Sequence, residues 1–180
     1  MISATRIQVY GHVVMDPINP DPDDITIDSI AHSLSNQCRF AGHTNKFYSV
    51  AEHSIHVSNS VPQEDALWGL LHDASEAYLV DFPSPLKYSI FGKSYRAVES
   101  HLMEVICEKF GLPYDMPESV VRADIALLGT EVRDLLNSGP EDELWGPWLT
   151  EPPISYSLSD PLNPEAAKRY FLGLFYELTT

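Results

Sequence analysis

The stretch ALWGLLHDASEAYLVDFP, Ala66 to Pro83, is apolar for most of its length yet carries His72 and Asp73 side by side near its middle. An isolated ionised carboxylate in an apolar interior costs more than a helix of this size can offset, so Asp73 must face a cation or strong hydrogen-bond donors. A metal ion meets that requirement most simply. The rest of the chain must then fold so that further ligands arrive at this helix.

A chain of 180 residues, 44% of them hydrophobic, is expected to form one domain over 1–180 with a continuous core. Cys38 and Cys107 are well separated, form no CxxC motif and follow no secretory leader, so reduced thiols in a cytoplasmic protein are expected. Charge or proline interrupts every apolar run before it reaches the length of a membrane span. The net charge of -15, from 26 acidic and 11 basic side chains, disfavours a nucleic-acid polymer as partner. It leaves room for a small anion, because a metal and a few basic groups reverse the potential inside one cleft.

The reading along the chain is all-α, with six or seven helices after a small N-terminal hairpin. Alternating β-branched residues around Gly11 suggest that hairpin over 2–15, and an acidic, proline-rich connection follows to residue 27. Helices are expected over 28–37, 47–59, 63–79, 92–110, 117–136 and 164–178. The third has Leu67, Leu70, Leu71, Ala74 and Tyr78 on one stripe; the fifth has Val121, Ile125, Leu128, Val132 and Leu135. The prolines of DFPSPLK, 81–87, end the third helix in a rigid turn. Residues 138–163, rich in Pro, Gly and Trp, read as an irregular cover over the helices. The last helix offers Tyr170, Phe171, Leu174, Phe175 and Leu178, an apolar stripe that serves either a homo-oligomer or the chain's own core.

His53, His72, Asp73 and Asp124 together make a mononuclear ligand set of imidazole nitrogens and carboxylate oxygens. Such a set suits Zn, Co, Mn, Ni or Fe(II) and leaves positions for water and substrate. Each residue also has an ordinary structural reading. His53 fits a core histidine, and Asp124 fits a pair with Arg122 or Arg39.

The segments FYSVAEHS, LLHDASEAYLVDFPSPLK and RAD resemble the HD-domain phosphohydrolases, over about residues 28–136. The likeness is closest to bacterial 5'-deoxynucleotidases and small phage-type members of that superfamily. It implies an HD-type helical bundle, one divalent ion (Co, Mn, Zn, Ni, Fe or Mg) on His53, His72, Asp73 and Asp124, and hydrolysis of a nucleotide phosphate ester. Glu76, one turn after His72, matches the catalytic glutamate and would act with Asp73 in catalysis. Arg39 and Lys87 are the candidate phosphate ligands, and His43 would bond phosphate or protonate a leaving oxygen. Asp81 matches a position that contacts a sugar 3'-hydroxyl. Phe40 stands where the relatives have tryptophan, which leaves the choice between ribose and deoxyribose open. The expected substrate is a nucleoside 5'-monophosphate, cleaved to nucleoside and phosphate. The alternatives are a deoxynucleoside triphosphate losing its intact triphosphate and, more remotely, a nonenzymatic metal-stabilised protein with a closed ion site.

Overall fold

The computed structural model describes residues 5–180. Strands β1 (Ile7–Gln8) and β2 (Val14–Met15) pair antiparallel, Ile7 opposite Met15, around a turn in which Gly11 and His12 have φ of 87° and 64°. The expected hairpin therefore forms, with residues 2–4 of its span lying outside the described residues. Eight α-helical segments follow among the described residues: α1 (Ile27–Asn36), α2 (Val50–Ser58), α3 (Ala66–Leu71), α4 (Glu76–Leu79), α5 (Ser84–Lys87), α6 (Lys93–Phe110), α7 (Glu118–Leu135) and α8 (Pro164–Leu178).

Local chemistry sets most of these boundaries. Thr26, Ser49 and Asn163 accept hydrogen bonds from the N–H groups of Ser29, Glu52 and Ala166, capping α1, α2 and α8. At the other end of α6, Gly111 takes a left-handed conformation at φ 70°, which closes the helix without a side-chain clash. The last helix begins at Pro164, where a missing N–H costs nothing.

Helix α2 is central, touching α1, α3, α7 and α8. One core is built from α1, α2, α3, α6 and α8, with Leu34, Ala51, Leu71, Leu102 and Phe171 fully buried. A second, around Tyr48, Trp68, Val120 and Leu127, lies between α2, α3 and α7. No helix among the described residues is long and apolar enough to cross a membrane. Both cysteines are free thiols.

Three expectations require correction. The helix expected over 63–79 is broken: a 3-10 turn at Gln63–Asp65 leads into α3, and four residues of turn, 72–75, separate α3 from α4. The His72 imidazole engages the Gly69 carbonyl at 2.8 Å, and the backbone continues through i to i+3 bonds such as Glu76 N–H to Asp73 O. The segment SPLK is not merely a turn but one turn of helix, α5, with Pro85 in a position that needs no N–H donor. Of the expected α7 stripe, Val132 and Leu135 are buried, Ile125 and Leu128 half-buried and Val121 exposed, and the buried face also takes in Val120, Ala123, Leu127 and Glu131. A hydrophobicity stripe could not anticipate a glutamate on the inner face. The aromatic stripe of α8 also resolves: Phe171 and Phe175 lie in the intramolecular core and Tyr170 points outward.

Helices α2 and α3 meet at Gly69. A Cβ there would stand 2.9 Å from the Ser58 Cα, so the two backbones have no room for one. Gly69→Ala should cost about 1–3 kcal/mol of stability by forcing the helices apart. The denaturation midpoint in urea measures this, and an unshifted midpoint would contradict the close approach.

Candidate metal centre

The four expected ligands converge, one from α2, two from the turn after α3 and one from α7. His53 Nε2 lies 3.2 Å from His72 Nε2, 3.0 Å from Asp124 Oδ1 and 3.7 Å from Asp73 Oδ2. His72 Nε2 is 3.2 Å from the same Asp73 oxygen. Ligands held about 2.0–2.1 Å from one ion in tetrahedral arrangement stand roughly 3.3 Å from each other, and these separations bracket that value. Among the described residues the ligand atoms of His53, His72 and Asp73 all lie within 4.8 Å of one another, a group able to hold a metal, and Asp124 adjoins it through His53.

The other ring nitrogens decide how this donor set must be used. His72 Nδ1 faces the Gly69 carbonyl at 2.8 Å and His53 Nδ1 faces Glu131 Oε1 at 2.6 Å. Both partners only accept, so both Nδ1 atoms carry hydrogen. In the neutral rings each Nε2 then turns a lone pair toward the other and toward the Asp73 carboxylate, and that of His53 faces Asp124 as well. Such an array repels itself unless a proton or a cation sits within it. The donors thus fit a divalent ion.

In the absence of a cation a proton takes that place. Burial and the Arg39 charge oppose protonation of His53, but Glu131 and Asp124 outweigh them and raise its pKa to about 9. Asp73 is driven far the other way: burial resists ionisation, yet His72, His53 and Arg39 hold the carboxyl well below its ordinary range. Asp124 is also lowered, chiefly by His53 against its own desolvation. Its side chain is 43% exposed, so the ligand cluster has an open side, as catalytic metal sites do and closed structural sites do not.

Glu131 is the residue that the sequence reading missed. It is fully buried, and besides His53 it binds Arg39, whose Nη2 and Nε lie 3.1 and 3.2 Å from Oε2. Arg39 Nη1 reaches Asp73 Oδ2 at 3.5 Å. Arg39 therefore couples the carboxylate behind His53 to the Asp73 carboxylate, and it forms no ion pair with Asp124. Arg122 bonds Glu151 instead of Asp124. The available signal for Glu131 was its spacing, two helical turns after Asp124 on one face.

Beyond the ligands stands Glu76. The 3-10 winding of 72–75 brings positions three apart into line, so Asp73 and Glu76 share a side. Glu76 is buried; Oε1 lies 3.5 Å from Lys87 Nζ, and Oε2 has no hydrogen-bond partner. Burial, then Asp73 and Asp81, push its pKa well up against the pull of Lys87 and Arg39. Lys87 is itself bound to Glu99 at 2.8 Å, so its ammonium is fixed between two carboxylates.

Two strained loops complete the neighbourhood. Val80, a β-branched residue with φ 75° and ψ 154°, precedes Asp81. Gln37 splints this turn, donating to the Glu76 carbonyl at 3.0 Å and accepting from the Asp81 N–H at 3.1 Å. After Arg39, three successive residues, Phe40, Ala41 and Gly42, have φ of 55°, 51° and 80°. For the non-glycine residues such backbone costs about 1–3 kcal/mol each and concentrates at functional sites. The loops face each other across a cavity of about 420 Å³ lined by Arg39, Phe40, His43 and Asp81 together with Trp145 and Trp148. Of the expected substrate residues, Arg39 borders both ligands and cavity, Phe40, His43 and Asp81 line the cavity, and Lys87 lies on the Glu76 side.

Over 169 residues the chain is 44% identical to the uncharacterized protein YfdR of Escherichia coli, covering 93% of this chain and 91% of that one. The chain belongs to the YfdR family. An uncharacterized protein of Rhodobacter capsulatus is 37% identical over 118 residues, 61% of this YfdR-family chain and 60% of its own length. No protein-family model matches. A buried His-His-Asp cluster with an open side and an adjoining cavity supports a metal-dependent enzyme, consistent in general terms with a hydrolase.

Glu131→Gln keeps the shape but removes the charge that fixes and strengthens His53, so affinity for Zn or Mn in a chelator competition should fall about 10–100-fold. Wild-type affinity in the variant would reduce Glu131 to a packing role. Metal uptake must also displace the His53 proton. Affinity should therefore rise about tenfold per pH unit from pH 7 toward 9 and level off above it. The same competition run at pH 7, 8 and 9 checks the slope, and a flat profile would contradict it.

Proposed function

We propose that this protein is a metal-dependent nucleotide phosphohydrolase that cleaves nucleoside 5'-monophosphates to nucleoside and inorganic phosphate. The resemblance to HD-domain phosphohydrolases motivates the reading, with residues 1–180 acting as one such domain in the cytoplasm. The observation that carries it is Glu76: a buried carboxyl beside the ligand cluster, with one oxygen committed to nothing and an elevated pKa. A buried carboxyl with a free oxygen beside the ligand cluster is placed to exchange a proton with a bound water.

A divalent ion held by His53, His72, Asp73 and Asp124 would supply Lewis acidity toward water and a phosphoryl oxygen. Glu76, acting with Asp73 at its side, accepts the proton of the attacking water. The new O–P bond forms as the bond from phosphorus to the 5'-oxygen breaks, and Glu76 or His43 returns a proton to that oxygen. Arg39 and Lys87 offset phosphate charge while remaining anchored to Glu131 and Glu99. Asp81 accepts a hydrogen bond from a sugar hydroxyl, and Phe40 packs against the sugar.

The charge around the ligand cluster favours the monophosphate over the triphosphate. Arg39 is already engaged by Asp73 and Glu131, and Lys87 by Glu76 and Glu99, so a polyphosphate tail would meet no uncommitted cationic side chain there.

The test is product analysis after metal-stripped protein is reloaded separately with Mn, Co, Zn or Mg and given nucleoside mono- and triphosphates. Nucleoside plus single phosphate is expected, with turnover falling at least about 100-fold in Glu76→Ala while metal affinity persists. Release of intact triphosphate would replace this reading with the triphosphohydrolase alternative, and silence with every metal would remove the enzymatic one.

A further inference from the structure

The segment 138–163 contains no helix or strand, yet it is fastened along the bundle at defined points. The N–H groups of Ile154, Leu158 and Leu162 donate to Thr130, Asp134 and Glu52 at 2.8, 2.8 and 2.9 Å. Arg133 holds the Tyr156 carbonyl at 3.0 Å. Thus anchored, the preceding stretch brings Leu144, Trp145 and Trp148 over the cavity beside the metal ligands.

That wall is aromatic on two sides. Phe40, from the left-handed loop, meets Trp145 edge-on at 6.1 Å between ring centroids, and Trp148 stands beside Tyr88 at 6.5 Å. Phe40 also carries the Arg39 guanidinium over its ring at 5.6 Å, so one face of the cavity runs directly into the ion-pair network behind the ligands. Leu128 and Leu136 of the α7 region, with Pro83 and Pro85, form the remaining apolar surface. The indole N–H of Trp68 is used on the Pro113 carbonyl, whereas those of Trp145 and Trp148 have no acceptor among the described residues. The cavity therefore offers flat apolar faces, two uncommitted donors and little fixed charge. A volume of about 420 Å³ lies within the roughly 300–1,000 Å³ of small-molecule sites.

We propose that this cavity binds the purine or pyrimidine ring of the substrate, stacked against Trp145 and Trp148 with Phe40 at its edge, and that residues 138–163 form the base-recognition element of the site. The proposal rests on the phosphohydrolase reading for the identity of the rest of the ligand, but the ring site stands on its own geometry. Stacking on indole tolerates any base, because every base has a π face. Charge repels nothing here, because the ring is neutral, while the phosphate remains outside the apolar part and next to Arg39.

The experiment titrates zinc-loaded full-length protein with adenosine, thymidine and ribose, reading tryptophan fluorescence and binding heat. Both nucleosides are expected to bind and quench, and ribose to do neither. Trp145→Ala and Trp148→Ala should each weaken nucleoside binding about tenfold or more, with melting temperature and zinc affinity unchanged; Trp145→Phe should restore most of the binding. Nucleosides no tighter than ribose, or affinities unmoved in both alanine variants, would overturn the ring site. Tryptophan-dependent nucleoside binding in a protein that releases no phosphate from any nucleotide would uphold the ring site and overturn the phosphohydrolase reading instead.

Discussion

Glu131 is a carboxylate with no exposed surface, and the arrangement of the site depends on how its charge is met. A buried anion is tolerable only when fully paired and hydrogen-bonded, and His53 from α2 and Arg39 from the preceding loop supply that pairing. The consequence is geometric. Helix α7 cannot turn about its axis without breaking the contact, and its inner face is therefore the one that carries Glu131 and brings Asp124 beside His53. The same bond holds the His53 ring in the tautomer that leaves Nε2 free toward the ligand cluster.

Site and scaffold compete for the same backbone groups at the His72-Asp73 turn. A continuous helix would leave the Gly69 carbonyl to the backbone, but the His72 side chain engages it and the chain tightens into i to i+3 bonds. That tightening brings Glu76 into line with Asp73. Close packing of Gly69 on Ser58 keeps α2 and α3, and with them His53 and His72, at the required separation. Strain at Val80 and at Phe40-Ala41 is tolerated because Gln37 ties the first loop and the Arg39 N–H bond to the Tyr48 carbonyl, at 2.9 Å, closes the base of the second.

The helices and the His72-Asp73 pair were legible because amphipathic spacing, capping residues and an acid inside an apolar run all leave marks in the sequence, whereas joining His53 and Asp124 to that pair was what the resemblance to HD-domain phosphohydrolases implied. Glu131 left a weaker one. A glutamate on a helix reads by default as a solvated residue, and only the partner that α2 provides makes its burial tolerable. The break after Leu71 was hidden for a related reason: no proline or glycine follows it, and the cause is a side chain reaching back to a carbonyl. Trp145 and Trp148 were visible as residues but not as a wall, since their positions depend on long-range bonds from Thr130, Asp134 and Glu52. Lys87 read as a free ammonium because Glu99 lies on another helix.

The charge balance of the site explains why metal and anion binding should be inseparable. Asp73, Asp81, Asp124 and Glu131, joined by Glu76 when it is ionised, outnumber Arg39, Lys87 and the protonated His53, and all three cations are already bound to carboxylates. The chain as a whole is strongly acidic, with a net charge of -15. An anionic ligand approaching the metal-free cluster meets a negative field with no cation left to receive it. A divalent ion in the ligand set cancels the charge of Asp73 and Asp124 and releases Arg39 from part of its duty toward Asp73. Under the proposed phosphohydrolase reading the cluster would then change from a site that repels phosphate to one that attracts it, and the aromatic cavity, which carries little charge of its own, would contribute ring recognition without opposing that change.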